Sequence, residues 1–493
     1  MKTRTLWVGL IVITLISFSV LLFFGKEIYR LKPPIPEKVV SEGGEVLFTM
    51  QQIRDGQNVW QSIGGQQIGS VWGHGAYVAP DWSADWLHRE AGFILDEWSS
   101  AEFGVPFDRL EKEKQVMLEV RLQKALRANT YNESTGILTI SGERARAVKS
   151  ISSYYAGLFM NNPSLEKERT AYSIPANTIK DNDRMAAMNA FFFWAAWACV
   201  TERPGSTHTY TSNWPPDPAI GNIPSAGIVL WTGFSVIMLL VGIGLLAYYN
   251  ARNRSDVLDS SLLPQNDPLG GLHPTPSMKA VLKYYWVVVG LILLQILTGV
   301  ITAHYGVEGN QFYGLSLASI MPYSISRTWH IQLALFWIAT AWLAAGLYIA
   351  PAVSGHEPRF QKAGVNFLFF ALLVIVVGSM AGEWMGVMQK LGLVKNFWFG
   401  HQGYEYVDLG RFWQAFLFIG FIIWLFLMFR ALWPAITKRS ESRELLILFS
   451  IATVAIGAFY GAGLMWGRQT HLSIAEYWRW WVVHLWVEGF FEV

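Results

Sequence analysis

The sequence predicts an all-α polytopic membrane bundle that carries a mixed α/β domain on its extracytoplasmic side. Three observations lead there. The 493 residues are 52% hydrophobic and only 15% charged, where a soluble protein has about 25% charged. Of the 74 charged residues, 40 lie in residues 31–220 and 29 in residues 221–493, so one stretch suits water and the other lipid. Finally, uncharged or nearly uncharged runs of about 20 residues recur, each long enough at 1.5 Å per residue to cross a hydrocarbon core of about 30 Å.

The first run, Leu6 to Phe24, stands between Lys2, Arg4 and Lys26. It exceeds the 7–15 residues of a signal-peptide core and is followed by Phe23, Phe24 and Gly25 rather than a small-residue cleavage site, so residues 1–29 read as an uncleaved anchor. Residues 30–224 form the water-compatible domain, with Gly-rich turns (GGQQIG, WGHGAY), a charged helical stretch at Arg109–Arg127 and a strand-like GILTISG. The run Ala187–Val200, at about 14 residues, is too short to cross and reads as a buried or interfacial helix.

Seven further runs follow in residues 225–493: Ala226–Tyr249, Tyr284–Tyr305, Arg327–Ala350, Gly364–Met388, Phe412–Leu432, Leu445–Trp466 and Ile474 to the last residue. With a cytoplasmic N-terminus, the short inner segments carry twelve Lys and Arg and the outer ones five, which places residues 30–224 outside the cytoplasm. The net charge of +2 is that of no dedicated nucleic-acid binder. The single Cys, Cys199, excludes an internal disulfide, a Cys-rich metal cluster and a C-x-x-C-H haem attachment.

Among ten His, His330 and His484 lie inside spans, where an ionisable group is costly and faces the bundle interior with a partner. His330, in RTWHIQLALFW, has no acid one turn away. A neutral imidazole there suits haem iron, and a hydrogen bond to a backbone carbonyl is the alternative. In HLWVEGFFEV, Glu488 and Glu492 follow His484 at four and eight residues. On an α-helix all three share one side, drifting about 40° per step. Imidazole with carboxylate suits non-haem iron better than copper, and a proton relay would use the same residues. His304 and Glu308, one turn apart in TAHYGVEG, form either a proton-accepting pair or a structural hydrogen bond.

RTWHIQLALFWIATAWLAAGLYIAP, WVVHLWVEGFFEV, WGHGAYVAPDWSADWLHRE and YEYVDLGRFWQ together resemble the quinol-dependent nitric oxide reductases, single-chain members of the haem-copper oxidase superfamily, across essentially the whole length. In oxygen-reducing relatives, a Tyr stands four residues after the metal-ligand His; here it is Glu488. The resemblance implies a subunit I-like bundle with a cytochrome c-like outer domain that has lost its haem. It implies His330 as axial ligand of a low-spin haem b, His484 and Glu488 on non-haem iron, and Glu488 and Glu492 as the catalytic acids. It further implies a calcium ion on the Gly75 carbonyl, Tyr77 and Glu405 beside the haem propionates, and a quinol site at His304 and Glu308.

The activity implied is the reduction of two NO molecules to N2O and water in denitrification. Electrons come from ubiquinol or menaquinol in the lipid of a bacterial inner membrane. The rival readings are a quinol-oxidising oxygen reductase of the same superfamily and a non-haem membrane transporter. The sequence reads as truncated at its C-terminal end, since residue 493 falls inside the last run. The family's high-spin haem b ligand, second low-spin haem ligand and remaining iron ligands are then expected outside it, in further spans or a separate C-terminal chain; a homodimer is a further expected partnership.

Overall fold

The computed structural model describes residues 3–75, 78–253, 270–311, 313–438 and 443–491, the last without the side chains of 488–491. Helix α1 (Thr3–Leu31) leads into a head domain. Strands β1 (Lys38–Ser41) and β2 (Val46–Thr49) precede α2 (Met50–Ser62), α3 (Trp82–Phe103) and α4 (Lys112–Arg127). Then come β3 (Tyr131–Asn132), β4 (Ile137–Ile140), α5 (Gly142–Phe159), α6 (Glu166–Ala171) and α7 (Asn182–Val200). The sheet order is β2-β1-β4-β3, with β1 parallel to β4 and the other pairs antiparallel. Side-chain caps fix the helix starts: Thr49 and Gln52 form a capping box on α2, and Asp81, Ser141 and Asp181 cap α3, α5 and α7.

The short apolar run at Ala187–Val200 is the axis of this domain. Every residue from Phe191 to Val200 is wholly buried, as expected of a helix that is apolar all round. Trp82 stacks on Phe192 at 5.6 Å and Trp86 on Tyr155 at 5.5 Å, so aromatic area rather than a disulfide consolidates the core.

The membrane part comprises α8 (Ala226–Asn253), α9 (Pro276–Glu308), α10 (Tyr323–Ser354), α11 (Gln361–Val387), the short α12 (Leu393–Phe399), α13 (Arg411–Thr437) and α14 (Arg443–Gly461). Among the described residues seven helices are long and apolar enough to cross a membrane: α1, α8, α9, α10, α11, α13 and α14. More than half of the apolar window of α10 is buried, and none of that of α1 or α8. Thus α10 lies at the centre of the bundle, packed on α9 and α13.

The expected eighth run differs. It is α15 (Leu472–Trp480) continuing directly into a π-helix, Trp481–Phe491. Its first half carries Glu476 and Arg479, which bind head-domain side chains, so polar anchoring replaces a uniformly apolar span. The i→i+5 pattern widens each turn, and Glu488 then falls short of a full turn from His484 instead of past it.

Candidate functional site

His330 projects from α10 against α9. Its Nδ1 is 2.9 Å from the carbonyl oxygen of Gln295, and its ring lies where a Cβ on Gly299 would sit, 2.7 Å away. The same Gln295 accepts from the Trp337 indole through Oε1 at 2.7 Å. Among the described residues Nδ1 is the ring nitrogen with a hydrogen bond, so the carbonyl partner fixes the tautomer and leaves Nε2 as a lone-pair donor. The backbone hydrogen bond and the ligand role are therefore compatible, and the residues present fit a haem ligand.

One turn before His330, Arg327 reaches out of α10 into the seam between bundle and head. Its Nη2 is 2.5 Å from Glu405 Oε1, and it donates to Gln67 Oε1. The other Glu405 oxygen is 3.2 Å from His74 Nε2, and the His74 ring lies 3.0 Å from Arg479 Nη2. Gln66 closes the circuit, accepting from the Glu405 backbone N–H at 3.0 Å and donating to Glu476 at 2.6 Å. Burial pushes against ionisation of Glu405, but the His74 and Arg327 contacts prevail and hold its carboxyl down at about 2.

Deeper in the seam, Asp408 accepts from Gln67 at 3.0 Å and Gln332 at 3.2 Å. Burial raises it to about 7 despite those two donors. His401, also wholly buried, accepts from the Gly403 N–H through Nδ1 and pairs with Thr328 Oγ1 at 2.8 Å. Burial drops it to about 3, so it stays neutral and gives Asp408 no countercharge.

These groups open onto a cavity of about 860 Å³ whose lining includes His74, Glu405, Arg479, Trp480 and His484. His484 stacks on Trp480 with ring centroids 3.8 Å apart. The structure thus brings the expected iron ligand His484 and the expected calcium ligand Glu405 to one cavity, while His330 packs against Gln295 and Gly299 of α9. Glu488 is on the π-helix by its backbone; its side chain, Glu492 and Tyr77 lie outside the described residues. Among the described residues no group of three or more His, Cys, Asp or Glu converges on a point that holds a metal.

The expected calcium cage is not assembled among the described donors. Glu405 is already neutralised by Arg327 and His74, and Arg479 stands behind them. Gly75, at φ +106, has open space around it.

His304 and Glu308 do meet, His304 Nε2 lying 3.2 Å from Glu308 Oε2. Tyr313 covers the pair, its ring 4.8 Å from the His304 ring and its N–H donating to Glu308 at 2.7 Å. The pair occupies the last turns of α9, on the head-domain side.

Sequence reasoning missed the roles of Arg327, Gln66, Gln67, His74, Asp408 and Arg479 in this seam. The one local signal was Arg327 three residues before His330. It also missed Glu383 of α11, which is wholly buried with neither carboxylate oxygen partnered among the described residues.

Two family matches accompany this geometry. Residues 36–216, the head domain, match the family described as the cytochrome c-like domain of nitric oxide reductase. Residues 279–493, the bundle from α9 onward, match the family described as cytochrome c and quinol oxidase polypeptide I.

Proposed function

Because the chain belongs to the haem-copper oxidase superfamily, with the head domain of its nitric oxide reductases, we propose that it works in a quinol-dependent nitric oxide reductase. The reaction is 2 NO + QH2 → N2O + H2O + Q. The superfamily makes it a multi-pass membrane oxidoreductase; the substrate, the donor and the bacterial inner-membrane setting, with the head outside the cytoplasm, are our reading. Both matches are to redox enzymes, which sets the transporter reading aside. The oxygen-reductase reading is disfavoured by Glu488 standing where oxygen-reducing relatives carry Tyr.

The observation that carries the donor is the head domain itself. It matches a cytochrome c-like family over residues 36–216, yet the chain's single Cys, Cys199, is wholly buried in α7. No C-x-x-C-H can attach a haem there, so electrons enter from a lipid-soluble reductant. The geometry of α9 supports this. His304 and Glu308 end the helix, and Gly299, which touches the His330 ring, lies nine residues before Glu308. That separation is about 14 Å along the axis, so the helix that carries the donor pair also seats the ring of His330, which reaches it from α10.

A low-spin haem b on His330 would carry electrons, and a non-haem iron on His484 and Glu488, with a high-spin haem b whose ligand lies outside this sequence, would supply the chemistry on the two NO molecules. The chain's own residues do the rest. Gln295 orients His330 through Nδ1 and Trp480 orients His484 by stacking. Arg479 lines the cavity beside Glu476, and Arg327 pairs with Glu405 behind it. Glu488 and Glu492 are the acids we assign to proton delivery, from the sequence pattern HLWVEGFFEV.

Metal and haem analysis of the purified holoenzyme, combined with NO consumption driven by a short-chain quinol, tests this. Iron with b-type haem and quinol-driven N2O release is the expected result. Copper with rapid oxygen uptake would replace it by the oxygen-reductase reading.

A further inference from the structure

The end of α9 does not face lipid alone. Gly309 follows it at φ +64, and a Cβ there would lie 2.5 Å from the Thr170 side chain of α6. Only glycine lets the head approach this closely. Asn310 then donates from Nδ2 to the Ile174 carbonyl at 3.2 Å, tying the loop to the head. Its Oδ1 is buried and without a partner, an acceptor whose desolvation nothing offsets among the described residues.

Glu308, Asn310, Arg169, Thr170 and Pro175 line a cavity of about 500 Å³. A second, of about 330 Å³, shares Pro175, Ala176, Ala318 and Ser319 with it. These sizes suit a small organic ligand. Around them Val307, Leu315 and Ile320 are exposed apolar residues, which is the collar expected of an opening toward acyl chains.

We propose that the head domain forms one wall of the quinol site: the ring binds in this seam, with one hydroxyl on the Glu308 carboxylate, the other on the Asn310 amide oxygen, and head residues 169–176 closing the far side. The inference rests on the quinol reading above. The chemistry matches, because a quinol brings two O–H donors and the cavity offers two acceptors and an apolar mouth for the tail. On oxidation both O–H bonds break. One proton passes to the Glu308 carboxylate and its His304 neighbour, the other to water at the seam, and two electrons leave toward the iron at His330 and finally to NO. A domain without haem thereby keeps a role in electron entry.

The test uses the holoenzyme with a short-chain quinol as substrate and the matching quinone for equilibrium binding. Ala176→Trp and Asn161→Trp fill the seam from the head side, and Asn310→Leu removes one acceptor. Each is expected to raise KM and the quinone Kd about tenfold, by excluding the ring in the two Trp variants and by the loss of one hydrogen bond of about 1.4 kcal/mol in Asn310→Leu, with kcat changed less than about twofold and the unfolding midpoint retained. Unchanged KM and Kd in all three, while Glu308→Gln raises both, would overturn the wall and leave the quinol reading standing. Wild-type enzyme that turns over with a small artificial reductant but never with quinol would sink the quinol reading, and the wall with it.

Discussion

The surroundings of His330 and of His484 differ in how completely this chain builds them. His330 stands on a regular α-helix at the centre of the bundle. Its Nδ1 is pinned by a carbonyl, its ring is seated on a glycine, and an Arg–Glu pair lies one turn away. His484 stands on a π-helix, stacked on Trp480, and faces a cavity of about 860 Å³. The first site is closed in by the packed helices around it, whereas the second borders open space. An intramembrane imidazole is costly, and the two differ in how much packed protein surrounds it.

The sharpest way to break the contrast is to remove the buried pair beside His330. Arg327→Leu leaves Glu405 buried with His74 alone and is expected to lower stability by about 3–5 kcal/mol, read from the unfolding midpoint. The sign of the pH dependence follows. Glu405 is held at about 2, below the ordinary 4.5, so its contribution is complete above about pH 4.5 and is lost as pH falls toward 2. The variant should lose that acid-side slope; an unchanged slope would show that the pair does not hold Glu405 down.

The seat of His330 gives the next effect. Gly299→Leu drives a side chain into the imidazole, and the expected outcome is about a 10–100-fold loss of haem retention, as for other changes that misplace a ligand. Gly290→Leu on the same helix, with nothing within 4 Å, serves as the control. Reduced-minus-oxidised spectra of the two variants measure this, and equal haem content would remove the distinction between a seated and an unseated histidine.

The smallest effect belongs to His484. Trp480→Leu removes one stacking contact of about 1 kcal/mol, and the iron content of the holoenzyme is expected to fall by less than about tenfold. A complete loss would mean that Trp480 alone positions His484 and that the second site is as fully built as the first.

Much of this was legible in the sequence because it is written locally. The buried run Ala187–Val200 was visible from its length, and the helix Lys112–Arg127 and strand Ile137–Ile140 emerged where periodicity put them. His304 and Glu308 meet as their spacing requires. The seam network was not legible, since Gln66, His74, Arg327, Glu405 and Arg479 come from distant segments and each alone is an ordinary polar residue. Glu383 was passed over for the same reason: its charge was countable, but its lack of partners was not.

The sequence by itself determined the two solvents, the placement of seven of the spans, the buried aromatic helix of the head and the two histidines set in apolar helices, because hydropathy and spacing add up residue by residue along the chain. Only the tertiary structure decided that Glu405 meets Arg327 and His74, that residues 481–491 widen into a π-helix, and that the head domain packs against the end of α9. Those outcomes depend on which desolvated polar groups find one another across the fold, and that pairing is a property of packing rather than of order along the chain.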